Sequence, residues 1–220
     1  MKAPDPDADQ PRVRLIIVVA LLAVAGLLCV RQAMGHAHRL AITLALVPGL
    51  VLGFFEYENH RADLVMTRAA TVLAGRPVHV SCQRLMGTFV DAGAELGYVR
   101  YESGHPGDET VLKYDTCQAL YDWMGSDKQD PSEAEVIAVH VLAHESEHLA
   151  GFIDEAVAEC RSVQTTEQAA VLLGSTAAQA RALAVRYASE VYPRMPDDYR
   201  SDQCRDGGRM DLHPDSSRWP

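Results

Sequence analysis

The sequence predicts an α+β domain with a short β-sheet and a central helix, carried behind an apolar N-terminal segment. Three observations predict it. Two apolar runs fill much of residues 1–55, period-two alternation appears only between residues 78 and 114, and long helical patterns follow it to residue 191. The domain division expected is therefore 1–55 and 56–220. At 220 residues the chain has room for one ordinary domain and a short appendage. Its 30 acidic against 20 basic residues exclude a phosphate-backbone binder, which needs surplus Lys and Arg to displace counterions. Nucleic acid is not an expected partner.

Leu15 to Val30 and Leu40 to Phe55 are each sixteen residues long and almost free of strongly polar side chains. They read as one or two transmembrane helices retained as an anchor, since Arg31 follows the first without a small-residue cleavage pattern. The connector Arg31 to Arg39 holds two arginines and two histidines and no acid, while the tail sets Lys2, Arg12 and Arg14 against Asp5, Asp7 and Asp9. By the positive-inside rule the connector is the cytoplasmic segment. The expected location is then the cytoplasmic membrane, with the lipid bilayer as a partner and residues 56–220 facing outside.

Cysteine usage points the same way. Cys29 lies in the first apolar run, and Cys82, Cys117, Cys160 and Cys204 form an even set suited to two disulfides in an oxidising compartment. Of three possible connectivities the most local pairs Cys82 with Cys117 and Cys160 with Cys204. The second bridge would staple a polar tail from Asp197 to Pro220.

Along the domain, Asn59 to Ala74 is helical and ends at Gly75 and Pro77; Val78, Val80 and Cys82 alternate as a strand. Gly97 to Glu102 and Thr110 to Tyr114 read as a hairpin around Gly104, Pro106 and Gly107, and a short helix runs from Cys117 to Met124. Pro131 and Ser132 open a helix whose run from Ala134 to Ala150 is apolar on nearly every face. Thr176 to Val191 is a further helix, with Ala180, Leu183, Ala184 and Tyr187 on one side.

The buried helix carries the chemistry. Burying imidazole and carboxylate is costly unless something pairs with them, yet His140, His144, Glu145, Glu147 and His148 all lie on it. His144 to His148 spell HExxH: histidines at i and i+4 share a face and can bind one Zn2+, and Glu145 can act as general base on water. His140, one further turn back, reads as a hydrogen-bonded core histidine, because three turns of a straight helix diverge too far to close on one ion. Glu147 reads as a solvated acid or one supporting the site from outside, and His213 as a surface-loop residue.

At this point the chain resembles the zincin metallopeptidases, on the stretch His144 to Glu159, HESEHLAGFIDEAVAE. The resemblance implies a third metal ligand from downstream. The gluzincin pattern takes a Glu from the next helix, here Glu155 or Glu159; the metzincin pattern places Asp154 there, with Gly151 matching. Glu155 is favoured, since Met195 and Met210 lie in proline- or glycine-rich sequence without the Met-turn of a metzincin; against it, the spacer after His148 is short for a gluzincin. Glu159 would then orient a ligand histidine. The expected function is a zinc-dependent metallopeptidase acting on a peptide or protein substrate outside the cytoplasm. The alternatives are a non-catalytic, metal-stabilised interaction domain and a disulfide-stapled module without metal.

Overall fold

In the computed structural model, residues 10–33, 39–83, 96–102, 105–216 and 219–220 are described, and the chain divides into two units, Met1–Arg61 and Ala62–Pro220. The first unit contains α1 (Gln10–Ala33) and the start of α2 (Arg39–Ala74). Its helices approach closely at glycines four residues apart. A β-carbon on Gly49 would come within 3.4 Å of Leu21 and Leu22, and one on Gly53 within 3.5 Å of Val18. The boundary expected at residue 55 falls inside α2, which carries on to Ala74.

Among the described residues no helix is long and apolar enough to cross a membrane, which corrects the expectation of one or two transmembrane helices in residues 1–55. The physical reason is length. Sixteen residues rise about 24 Å as a helix, against about 30 Å of bilayer hydrocarbon. Pro48 also interrupts the second run, and the helix carrying it continues into the polar sequence after Phe55. Residues 1–9 of the tail and 34–38 of the connector, which entered the orientation argument, lie outside the described residues.

The second unit starts within α2. Met66, Ala69 and Ala70 are buried in its core, and Gly75, at φ +66°, ends the helix in a conformation that costs glycine little. The Thr67 and Thr71 hydroxyls then accept from the Val80 and Val78 amides at 3.1 and 3.4 Å, so the helix hands the chain to β1 (His79–Cys82) through side-chain bonds. With β2 (Gly97–Glu102) and β3 (His105–Leu112), β1 forms a three-stranded sheet of order β1-β3-β2. β1 is parallel to β3, with Cys82 opposite Leu112, and β2 is antiparallel to it, with Gly97 opposite Leu112.

β3 begins earlier than the sequence pattern indicates, so Pro106 and Gly107 lie within a strand and not in the turn. The register slips between Val99 and Tyr101, and this brings the Arg100 carbonyl to 2.7 Å from where a Gly107 β-carbon would stand. Glycine is required there by a close approach of backbone to backbone. Residues 103 and 104, including Gly104 of the expected turn, are outside the described set.

Helices cover the sheet. α3 (Tyr114–Gly125) buries Leu120 and Trp123, and α4 (Glu133–Leu149) is buried at every residue from Ala138 to Leu149. A reciprocal cap opens α4: the Ser132 hydroxyl accepts from the Glu135 amide at 3.2 Å, and Glu135 accepts from the Ser132 amide at 2.7 Å. α5 (Glu155–Leu172) and α6 (Ala177–Arg186) follow, the latter opened by the same device between Thr176 and Gln179.

The expected helix from Thr176 to Val191 is in fact two segments. α6 stops at Arg186, and a π-helical turn runs from Tyr187 to Val191, a local widening that recurs at functional sites. Two disulfides join Cys82 to Cys117 and Cys160 to Cys204, the pairings the sequence favours. The tail docks on α5 through Gln164, which donates to the Met210 carbonyl at 3.0 Å and accepts from the Leu212 amide at 2.7 Å. His213 is exposed.

Candidate metal centre

The helical spacing of His144 and His148 places both imidazoles on one side of α4, and Asp154 sets where the next helix begins. The Asp154 carboxylate accepts from the Val157 amide at 3.0 Å, an N-cap that uses this side chain in the helix start. Glu155, one residue on, is thereby aimed back at α4. His144 Nε2 and His148 Nε2 are 2.9 Å apart, and Glu155 Oε2 lies 3.2 Å from each. A tetrahedral ion bound at about 2.0–2.1 Å spaces its ligands by roughly 3.3 Å, so this near-equilateral triangle has about the right edge. These three residues could hold a metal ion.

The chemistry of the donor set supports the fit. His148 Nδ1 lies 2.7 Å from the Phe152 carbonyl, which can only accept, so that nitrogen carries the proton. His144 Nδ1 lies 3.0 Å from Glu159 Oε2, and a carboxylate likewise accepts. Each imidazole in its neutral form therefore turns the lone pair of Nε2 toward the other, and Glu155 adds a third electron-rich atom. Three acceptors converge with no donor among them. Only a cation or an added proton relieves that arrangement.

Electrostatics show how the protein responds without the metal. Burial alone lowers the His144 imidazole, but hydrogen bonds to Glu155 and Glu159 and the nearby Glu145 charge outweigh it and raise the group to about 9. His148 moves the other way, lowered by burial and by the charge on His144. Glu155 is held below the usual carboxylate range by its hydrogen bond to His144, against the effect of partial burial. A proton on His144 is thus the natural substitute for the ion.

Behind His144 lies a closed polar network. Glu159 is 1% exposed, and its carboxylate receives His144 Nδ1 and His140 Nε2 at 3.0 Å each and the Tyr187 hydroxyl at 2.7 Å. Burial would push this acid up, yet its histidine partners hold it well below the ordinary range. His140 Nδ1 is 2.8 Å from the Thr166 hydroxyl, and its ring stacks on Tyr187 at a centroid distance of 3.4 Å. His140, His144 and Glu159 form a second group of possible ligands, but Nδ1 of His144 and Nε2 of His140 are both satisfied as hydrogen-bond donors to Glu159.

Glu145 stands between α4 and the sheet. Thr110 Oγ1 lies 3.0 Å from the Tyr98 carbonyl and 3.3 Å from Glu145 Oε2, and a β-carbon on Gly97 would meet Glu145 Oε1 at 3.0 Å. Any larger residue at 97 would push the carboxylate. On the far side, the Tyr199 ring stacks on His144 at 5.7 Å between centroids. Its phenol is raised to about 12 by burial and by the charges of Glu155, Asp198 and Glu145, and it hydrogen-bonds Glu155.

Of the two readings of Glu147, a solvated acid or one supporting the site from outside, burial removes the first. The residue is 2% exposed and accepts from Arg161 Nε at 2.7 Å and from the Thr165 hydroxyl at 3.3 Å. Its position on α4 turns it toward α5, and an arginine four residues before that helix position's next contact supplies the charge that burial requires. Tyr187, Tyr199, Thr110 and Arg161 carry no sequence signal that ties them to HExxH. The one hint was local: a Tyr in a buried helical stripe needs a partner for its hydroxyl.

No protein-family model matches the chain, and neither a curated protein nor a solved structure matches it.

Proposed function

We propose that the domain is a zinc-dependent hydrolase of peptide bonds that works in an oxidising compartment outside the cytoplasm. The convergence of His144 Nε2, His148 Nε2 and Glu155 Oε2, with both Nδ1 atoms committed as donors, carries the reading. Two histidines and a glutamate that leave a fourth position open are a ligand set that suits catalytic zinc. Zinc in such a site supplies a Lewis acid that polarises a carbonyl and makes water acidic.

The chain's own residues supply the rest. Glu145 is not one of the three converging donors, and its carboxylate would take a proton from water and return it to the leaving amine. Thr110 and Gly97 fix that carboxylate from the sheet side. Glu159 and the Phe152 carbonyl hold the two imidazoles in the required tautomer. The two disulfides support the oxidising compartment.

The test is metal analysis of the full chain followed by digestion of a broad peptide library, with Glu145→Gln as the critical variant. Expected are about one zinc per chain in both proteins, and loss of roughly 10²–10⁴-fold in cleavage rate for the variant. Zinc without any cleavage by the wild type would favour a metal-stabilised interaction domain instead. Absence of zinc would remove both readings.

A further inference from the structure

The turn that joins α4 to α5 is built around a metal-ligand candidate. Gly151, at φ +104°, donates to the His148 carbonyl at 2.9 Å, and Phe152 donates to the Glu147 carbonyl at 3.1 Å. Those two bonds are the paired closure of a helix C-terminus, in which the residue after the glycine ordinarily makes an apolar contact with the residue three places before the cap. Here that earlier residue is Glu147, a buried acid that cannot make an apolar contact. Arg161 fills the gap. Its Nε donates to Glu147 at 2.7 Å while its guanidinium lies 3.8 Å above the Phe152 ring.

We propose that Arg161 is a positioning residue for His148, acting through Phe152: it clamps the Phe152 ring to Glu147 so that the Phe152 carbonyl stays against His148 Nδ1. This rests on the metal reading of the site. Three observations meet at one residue. The carbonyl is 2.7 Å from His148 Nδ1, so its placement decides which imidazole nitrogen is protonated. The ring of the same residue is the surface on which the guanidinium lies. The acid that anchors the guanidinium sits one residue before His148 on α4 and also accepts from Thr165 of α5.

A planar guanidinium suits both halves of the task, since it donates to a carboxylate in its plane and stacks on a ring across its face. An ammonium can replace only the charge. The side chain thus supports a turn that is otherwise closed by the backbone bonds from Gly151 and Phe152 and by Arg76, which donates to the Leu149 carbonyl at 3.0 Å.

The test uses the full chain and the variants Arg161→Gln, Arg161→Lys and Phe152→Leu, with Glu190→Gln as a control ion-pair deletion. Zinc affinity is measured by chelator competition well below each melting temperature. Partners that orient a ligand from outside typically change metal affinity 10–100-fold, so Arg161→Gln and Phe152→Leu are expected to bind zinc at least about 10-fold more weakly, with Arg161→Lys between them and wild type. Cobalt-loaded samples should show a shifted visible spectrum in the same order. A second readout needs no metal: in chelator-treated protein, ¹⁵N NMR should find Nδ1–H at His148 in wild type and a mixed tautomer in Arg161→Gln. Wild-type zinc affinity, cobalt spectrum and tautomer in Arg161→Gln would overturn the proposal. If wild type binds no zinc while the tautomer still shifts in Arg161→Gln, the metal reading fails and the positioning role stands.

Discussion

His144 has two ring nitrogens in two different regions. Around Nδ1, every group has a complementary partner: Glu159 receives two imidazoles and a phenol, and the network is sealed from water. Around Nε2, acceptor faces acceptor, and Glu155 keeps 39% of its side chain exposed. The inner region is complete in itself, whereas the outer one is complete only with an added cation or with the proton that His144 holds up to about pH 9. Proteins leave polar groups unmatched at the cost of stability, and the place where they do so is where a ligand is expected.

The comparison can be broken at the residue the regions share. His144→Ala removes one converging atom and takes from buried Glu159 one of its three donors, leaving His140 and Tyr187, so it should abolish stoichiometric zinc binding and also lower the melting temperature of the metal-free protein. His140→Ala, which touches only the inner network, should keep the zinc and lose stability alone. Metal content and thermal melts of the pair check this, and loss of zinc in both variants would mean that the regions are not separable.

Glu159→Gln is the next step down. The amide preserves shape but cannot accept from two imidazoles and a phenol with the strength of a carboxylate. A fall of about 10–100-fold in zinc affinity is expected, read by chelator competition. Unchanged affinity would reduce Glu159 to a packing group.

Proton linkage sharpens the outer region. In metal-free protein His144 is raised to about 9 from an ordinary 6.5, so its contribution to stability is fully present below about pH 6.5 and is lost as the pH rises through 9. Melting temperature of the chelator-treated protein should therefore fall across that window, by several degrees. Zinc-loaded protein, with Nε2 occupied by the ion, should show little change over the same range. Parallel curves would mean that the ion does not take the place of the proton.

The smallest effect is expected at the rim. Tyr199→Phe keeps the ring over His144 and removes only the hydroxyl that bonds Glu155. A single exposed-side hydrogen bond is worth about 1 kcal/mol, so zinc affinity should drop by several-fold and no more. Chelator competition again measures it.

Much of the site lay in two short stretches of sequence. HExxH is local because i and i+4 share a helix face whatever the surroundings, and Glu155 lies just past a glycine stop legible in the sequence; Asp154, on the sequence alone only an alternative ligand, is the cap of α5. Buried versus solvated acids were not legible. Glu145 and Glu147 stand two residues apart on the same helix, and only the packing of β3 against one and α5 against the other separates a carboxylate facing Thr110 from one locked to Arg161. The membrane anchor failed for a different reason: the apolar runs of sixteen residues are shorter than the helices that carry them, and no described helix is both long and apolar enough to cross a membrane.

Chain chemistry by itself determined the α+β order and the identity of the clustered His and Glu residues, and favoured the observed disulfide pairs among three connectivities, because each depends on spacing or on residue type. Tertiary structure decided the rest. That Glu159 serves two histidines and Tyr187, that Tyr199 returns from the tail to Glu155, and that Arg161 closes the turn behind His148 all depend on contacts between elements far apart in sequence. Local propensity carries no information about such pairings, since they form only when burial brings the elements together and leaves each polar group to find its partner inside the protein.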